Sequence, residues 1–488
     1  MQIRSLLRHV SNYSLGSLVV TLAGFISFPI LTRLLGVDDY GNMSLVAVTL
    51  TFLVAVGKLG LQHSAIMFYS ETSAGKNEWN MPQYFSTVIL GMCASGALVT
   101  ACWLVVCITA ENVFWDHPTI VDIFIIASPL VLTRVIQSGL NSILRAQERS
   151  GLTAIYSVLW RYGNLVFVIG GMLLIEASLK VFFVATIAAE TVVLLAMAYT
   201  VLSREKIHVS LFSSKLYRYM ALFGLPMLGY EMAGIFASIG DRYVIKLVLG
   251  AEELGKYAAA YNLSEYVSAI IISSLAAAIL PMYLRIWSER GREATEEFLA
   301  KSLRIYVFAA LPVAFGFSAV ADNFIAIMAS AAYREGAVTV PYVVMGMIVD
   351  GGIIILAAGL YLKKDSKRLM LALCFSSVLN LALNIILVPK LGIKGAAIAT
   401  LATYCAFAYV AWRLSSRVIT IALPWKQVLR YGSFSLAMYW VVGQVSFEGE
   451  VLSLVSKVCV GGLFYGLLVL LFDRDSQQMV RQLLRREE

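Results

Sequence analysis

Long apolar blocks, each interrupted by a short polar or charged segment, recur from one end of the chain to the other. A helix needs about 20 mainly apolar residues to cross a bilayer. On that measure about fourteen spans are predicted, near residues 11–33, 42–66, 83–108, 120–141, 152–174, 179–201, 219–245, 257–283, 299–320, 337–362, 369–388, 395–413, 427–445 and 451–472. The blocks do not alternate apolar with polar residues, which excludes the strands of an outer-membrane barrel. The first is too long for the core of a cleaved leader and lacks a small-x-small cleavage site, so it reads as a retained span. The connecting segments are too short to house an extramembrane catalytic domain.

Charges enter these blocks at few positions: Lys58, Arg134, Arg161, Glu190, Glu231, Asp241, Arg242, Lys246, Glu265 and Asp350. A charge facing lipid at mid-span costs about 2.5–3.5 kcal/mol even on the lenient insertion scale, so these residues should face one another or water. Helical spacing sorts them into stripes. The stripes are Thr51, Lys58 and Gln62 in span two; Arg134, Gln137, Ser138 and Asn141 in span four; and Ser157, Arg161 and Asn164 in span five. Span seven adds Glu231, Ser238 and Arg242, and span eight adds Tyr261, Asn262, Glu265 and Ser268. Five polar faces predict a water-filled chamber shared by two halves of the chain. Lys58, Arg134, Arg161, Arg242 and Lys246 are candidate contacts for an anionic cargo, because the guanidinium fork matches phosphate oxygens. Glu190, Glu231, Glu265 and Asp350 are candidates for balancing the empty site or carrying a coupling cation. Asp241 reads as structural, neutralising a basic neighbour. The competing reading for each charge is a buried acid–base clasp between helices.

Composition agrees with a polytopic membrane protein. Hydrophobic residues make up 59% of the 488, charged residues 14%, and mean hydropathy is +0.79; globular domains carry about 25% charged residues. A soluble enzyme and a secreted disulfide scaffold are excluded. The net charge of +8 does not point to nucleic acid, since most of the lysines and arginines gather in alternate loops. That asymmetry predicts both termini in the cytoplasm. The tail, 473–488, reads as an amphipathic segment on the cytoplasmic surface, and Asp473-Arg474-Asp475 within it as a solvated charge run. The six cysteines all fall in apolar blocks and read as small core residues; neither they nor the four histidines have metal-ligand spacing. No cofactor is predicted. The absence of a phosphate-cradling glycine loop excludes a P-loop pump.

An internal repeat organises the chain. Leu35-Gly36-Val37-Asp38-Asp39-Tyr40-Gly41 and Leu249-Gly250-Ala251-Glu252-Glu253-Leu254-Gly255 share one pattern, about six spans apart. An even number of spans per unit makes the repeats parallel, as in alternating-access transporters. The predicted organisation is therefore a six-helix lobe over 1–204, a second over 205–415, an appended helix pair over 416–472 and the tail.

Several stretches together resemble a known family: Asn12-Tyr13-Ser14, Thr32-Arg33-Leu34-Leu35-Gly36, Gly57-Lys58-Leu59-Gly60-Leu61-Gln62, Asp241-Arg242, Leu254-Gly255-Lys256-Tyr257 and Pro389-Lys390-Leu391-Gly392. They look like the polysaccharide-transport (Wzx-type) flippases of O-antigen or capsule repeat units. These belong to the multidrug/oligosaccharidyl-lipid/polysaccharide (MOP) exporter superfamily. The resemblance implies an all-α integral membrane fold of the MATE/MurJ-like kind, with two pseudo-symmetric six-helix bundles and two extra C-terminal helices. It implies a carrier and not an enzyme, moving polyprenyl-diphosphate-linked oligosaccharide from the cytoplasmic to the periplasmic leaflet of a bacterial inner membrane. Na⁺ or H⁺ would be the coupling ion, and a polysaccharide polymerase and chain-length regulator the neighbouring partners. A multidrug extruder and a lipid II flippase of the same superfamily stay open. Span one has no acidic residue between Asn12 and Pro29, where extruders usually keep a cation-binding aspartate, which counts against the first of these. A membrane polysaccharide polymerase is the enzyme alternative, disfavoured by the short outer loops.

Overall fold

The computed structural model describes residues 19–109, 118–203 and 207–473. Among these the regular structure is entirely helical. Among the described residues eleven stretches are long and apolar enough to cross a membrane, and the described part of each predicted span is largely helical. Contact density divides the chain into two units, Met1–Tyr243 and Val244–Glu488. The cytoplasmic-surface segment predicted for the tail lies outside the described residues beyond Asp473.

The first unit runs α1 (Val19–Leu34), α2 (Val37–Lys58), α3 (Leu61–Ser73), α4 (Met81–Thr109), α5 (Pro118–Ala127), α6 (Pro129–Ala146), α7 (Ser150–Leu174) and α8 (Leu179–Leu202), and it takes in most of α9 (Ser214–Leu249). Helix α2 packs on α4, α5 and α6; α6 also meets α3 and α8, and α7 lies against α8. The outward faces carry bare apolar side chains, such as Leu174 at 87% exposure. In water that would be unfavourable; against acyl chains it costs nothing.

The second unit begins near the end of α9 and continues through α10 (Ala251–Met328), α11 (Val340–Leu356), α12 (Ala358–Leu362), α13 (Ser366–Leu391), α14 (Ile393–Ser415), α15 (Trp425–Gly443) and α16 (Glu450–Phe472). Helix α10 packs on α11, α15 and α16, while α14 lies between α11 and α13. Buried Tyr306 on α10 donates to the Ile348 carbonyl on α11 at 2.5 Å, and Tyr465 on α16 donates to the Phe308 carbonyl at 3.1 Å.

The two copies of the Leu-Gly-acidic motif do the same local work. Each ends one helix and starts the next, with Gly36 capping α2 and Gly250 capping α10. Asp38 and Asp39, like Glu252 and Glu253, sit in the first turn, where the positive end of the helix dipole favours carboxylates. The following position, Tyr40 or Leu254, is buried in its own unit.

Four details differ from the sequence reading. Span two is not one helix: Leu59 (φ 49°) and Gly60 (φ 72°) are both left-handed and separate α2 from α3. Spans eight and nine form one long helix, with non-helical geometry only at Gly291 (φ 77°). Of the cysteines only Cys107 is buried; Cys102, Cys405 and Cys459 are exposed on apolar helices, so a small side chain there fills a lipid-facing position and not a core. Asp473 is not solvated. It is 1% exposed and accepts hydrogen bonds from Arg430 at 2.8 Å and Tyr431 at 3.2 Å, because the end of α16 folds it back against α15.

Candidate functional site

The interruption of span two organises the polar interior of the first unit. Two successive left-handed residues release the last carbonyls of α2 from the helical ladder. One of these, the Gly57 carbonyl, accepts from the Ser95 hydroxyl of α4 at 2.7 Å. The backbone of α9 crosses at the same level. A Cβ on Gly224 would stand 2.7 Å from the Gly60 carbonyl carbon, and one on Gly60 would overlap the Gly224 carbonyl. Only paired glycines allow this approach, and small residues at helix crossings are the usual means of close packing in membranes.

That crossing brings two of the predicted stripes together. Lys58, the last residue of α2, donates to Glu231 Oε1 at 2.5 Å, and Gln62, in the first turn of α3, donates to Glu231 Oε2 at 2.8 Å. A single carboxylate from α9 thus bridges both sides of the helix break. The lysine also sits at a helix C-terminus, where the dipole favours a cation.

A second pair joins α6 to α8. Arg134 sits one turn beyond Pro129, whose missing N–H begins the helix cleanly. Its Nη2 donates to Glu190 Oε1 at 2.8 Å and its Nε to Oε2 at 3.0 Å. This two-pronged geometry is the strong form of an arginine–carboxylate contact. The Glu190 side chain is 2% exposed and that of Arg134 30%. Deeper in α9, Asp241 and Arg242 are both buried. Asp241 accepts from the Arg242 backbone N–H at 2.7 Å, and Arg242 Nε donates to the Ser44 hydroxyl of α2 at 3.2 Å.

Arg161 is different. It lies at the middle of α7, exposed, with no hydrogen bond or ion pair among the described residues. In the second unit Glu265 on α10 and Asp350 on α11 are likewise exposed and unpaired among the described residues. Lys246 is half-buried. The interior ionisable residues therefore fall into two groups: those already held by a partner, and a few bare ones, cationic in the first unit and anionic in the second.

The sequence reading missed two polar clusters, both at helix ends in the second unit. Lys256 is held by Glu335 at 2.5 Å, Glu253 at 2.9 Å and Glu252 at 3.1 Å. Burial pulls its ammonium down, but these bonds outweigh that and leave it raised. Arg334 reaches Asp322 at 2.9 Å and Glu450 at 2.5 Å; Asn323 donates to Glu450 at 2.6 Å and accepts from Lys457 at 2.7 Å. This network ties α16 to the end of α10. The acidic first turns were visible in the sequence; Glu335 and Glu450 were not, since each lies far along the chain from its partner. No cluster of metal-ligating residues occurs among the described residues.

Residues 6–287 match the family model described as "Polysaccharide biosynthesis protein". A probable low-salt glycan biosynthesis flippase of Haloferax volcanii is 24% identical over 331 residues, covering 67% of this chain and 68% of that protein. Among solved structures, the inward closed conformation of the lipid II flippase MurJ superposes with a TM-score of 0.80 at 15% identity, over 95% of this chain and 99% of that one. An inward-facing multidrug-resistance MATE transporter of the MOP superfamily gives 0.69 at 15% identity, over 84% and 97%. At these identities the two structures speak to fold alone. With more than half its length matched by the family model, the chain belongs to the polysaccharide biosynthesis protein family.

Proposed function

We propose that this protein is a flippase that carries polyprenyl-diphosphate-linked oligosaccharide repeat units from the cytoplasmic to the outer leaflet of a bacterial inner membrane, by alternating access. The supporting observation is Arg161. An exposed guanidinium at mid-span with no counter-charge among the described residues costs about 2.5–3.5 kcal/mol if it faces lipid. That cost is tolerable where water or an anionic cargo meets the side chain. A diphosphate offers two groups that fit its fork, and Lys58 and Arg134 are already engaged with carboxylates. The bare Glu265 and Asp350 suit a coupling cation, Na⁺ or H⁺. The sugar head and diphosphate cannot cross hydrocarbon, whereas the polyprenyl tail need not leave it, so the chemistry asked of the protein is shielding and not bond making. The basic loops favour cytoplasmic termini, and the cargo's next user on the outer side would be a polymerase with its chain-length regulator.

The test is reconstitution of the full chain in vesicles loaded with a polyprenyl-diphosphate glycan and read by a leaflet-specific lectin. Arg161→Ala should slow translocation at least tenfold with unchanged membrane insertion, and Arg161→Lys should recover part of the rate. Wild-type translocation in Arg161→Ala would remove this residue from the cargo's path. Vesicles loaded with lipid II in parallel distinguish the two cargo classes.

A further inference from the structure

The carboxylate that bridges the break in span two stands among more positive charge than it neutralises. Glu231 of α9 holds Lys58 of α2 at 2.5 Å and Gln62 of α3 at 2.8 Å. His63, the next residue of α3, feels three charges: Glu231, Lys58 and Arg145 near the end of α6. Helix α3 packs along α6, and Arg145 falls on the same helical face as Arg134, three turns further on. His63 and Arg145 are exposed, and neither side chain makes a hydrogen bond or ion pair among the described residues. Two basic groups thus stand bare beside a lysine whose partner is the protein's own carboxylate. Gln62 donates through its amide nitrogen, but its amide oxygen is buried and accepts nothing, so the closed arrangement leaves one acceptor unsatisfied. Pro226 lies inside α9, between the Gly60–Gly224 crossing and Glu231. Its nitrogen has no hydrogen to give the Leu222 carbonyl, and helices bend at such points.

We infer that Glu231 is a built-in stand-in for an anionic ligand, and that the cargo's diphosphate displaces it from Lys58 and binds across Lys58, His63 and Arg145. The inference rests on the glycan-flippase reading above. It adds an entry site that the protein's own carboxylate keeps closed until cargo arrives, at the end of the spans that the basic loops assign to the cytoplasm. A diphosphate diester carries a negative charge on each phosphorus. One replaces the Glu231 carboxylate on Lys58; the other meets His63 and Arg145, whose guanidinium fork matches phosphate oxygens. Lys58, whose side chain is 14% exposed, exchanges one anion for another and is never stranded without a counter-charge. Glu231 is 27% exposed and turns toward water as α9 bends at Pro226. A neutral sugar or a cationic drug has nothing to gain from this set. A single phosphodiester, as in an anionic phospholipid headgroup, satisfies Lys58 but leaves the other two bare.

The probe is geranyl diphospho-glucose, titrated calorimetrically into the full-length protein in phosphatidylcholine nanodiscs, with empty nanodiscs as the blank. Glu231→Gln removes the competing charge and should tighten binding about tenfold, a gain that Lys58→Gln in the same chain should abolish. Gln62→Leu takes one bond from the clamp without altering charge and should tighten binding about threefold. Arg145→Gln and His63→Gln should each weaken it about threefold or more. Binding no tighter than wild type in both Glu231→Gln and Gln62→Leu overturns the displacement. Wild-type binding by both Arg145→Gln and His63→Gln overturns the site. Amide exchange in α9 beyond Pro226 should rise when the probe binds the wild type; unchanged exchange with probe bound also overturns the displacement, because charge removal alone would then explain any gain. Nanodiscs containing phosphatidylglycerol test the other source of phosphate: loss of probe binding there would reassign the site to a lipid headgroup. Failure of the glycan-flippase reading shows separately, as absence of translocation of the intact lipid-linked glycan by a wild type that still binds the probe.

Discussion

The Arg134–Glu190 pair allows a quantitative test of how the first unit holds together. The two side chains join α6 to α8 through two parallel bonds, but their surroundings are unequal: Glu190 is 2% exposed and Arg134 30%. Arg134→Ala strands a carboxylate with no access to solvent. Breaking a buried pair from one side costs about 3–5 kcal/mol, and because water reaches the arginine's end the lower figure, about 3 kcal/mol, is expected. Glu190→Gln strands the partner that solvent can reach, and the amide still accepts one bond, so the loss should be about 1–2 kcal/mol. The double replacement Arg134→Leu with Glu190→Leu removes both charges and leaves apolar volume, and should fall within about 1 kcal/mol of the wild type. Unfolding of the purified chain in mixed SDS micelles, followed by far-UV circular dichroism, ranks the three. A single Arg134→Ala variant as stable as the double variant would refute the claim that buried charge compensation holds α6 to α8. Additive losses would refute it equally.

Two further perturbations test the packing. Gly224→Val places a side chain into the Gly60 backbone, where even a Cβ would stand 2.7 Å from the carbonyl carbon. The expected cost is about 1–3 kcal/mol from overpacking, whereas Gly234→Ala, with nothing within 4 Å, should be neutral in the same unfolding assay. Glu450→Gln weakens the contacts to Arg334 and Asn323; amide exchange at the first turns of α16 should accelerate while α10 stays protected, and unchanged exchange would show that apolar contacts alone seat that helix.

Much of this architecture is legible along the chain because a bilayer enforces it locally. Among the described residues the long apolar blocks are largely helical, since backbone polar groups in hydrocarbon must be satisfied within the segment. The two Leu-Gly-acidic motifs were readable for the same reason: a cap and a first-turn carboxylate act within a few residues. The stripes were readable as faces, and Lys58 and Gln62 do share one. Their partner was not, because Glu231 lies 173 residues from Lys58, and helical period says which way a side chain points without saying what stands opposite. The break at Leu59–Gly60 escaped notice because hydropathy runs on through it. Gly57-Lys58-Leu59-Gly60 was its only trace, and its cause is the crossing of α9.

What the sequence determined by itself is that its apolar blocks form helices, that the two Leu-Gly-acidic motifs start α2 and α10, and that charged residues within the blocks must find partners or water. Those are properties of short segments in a solvent that punishes exposed polarity. Which charges neutralise one another, leaving Lys58 and Arg134 engaged and Arg161 bare, was decided only when helices distant in the chain came together. An ion pair depends on two side chains meeting within about 4 Å, and only the packed structure sets that distance.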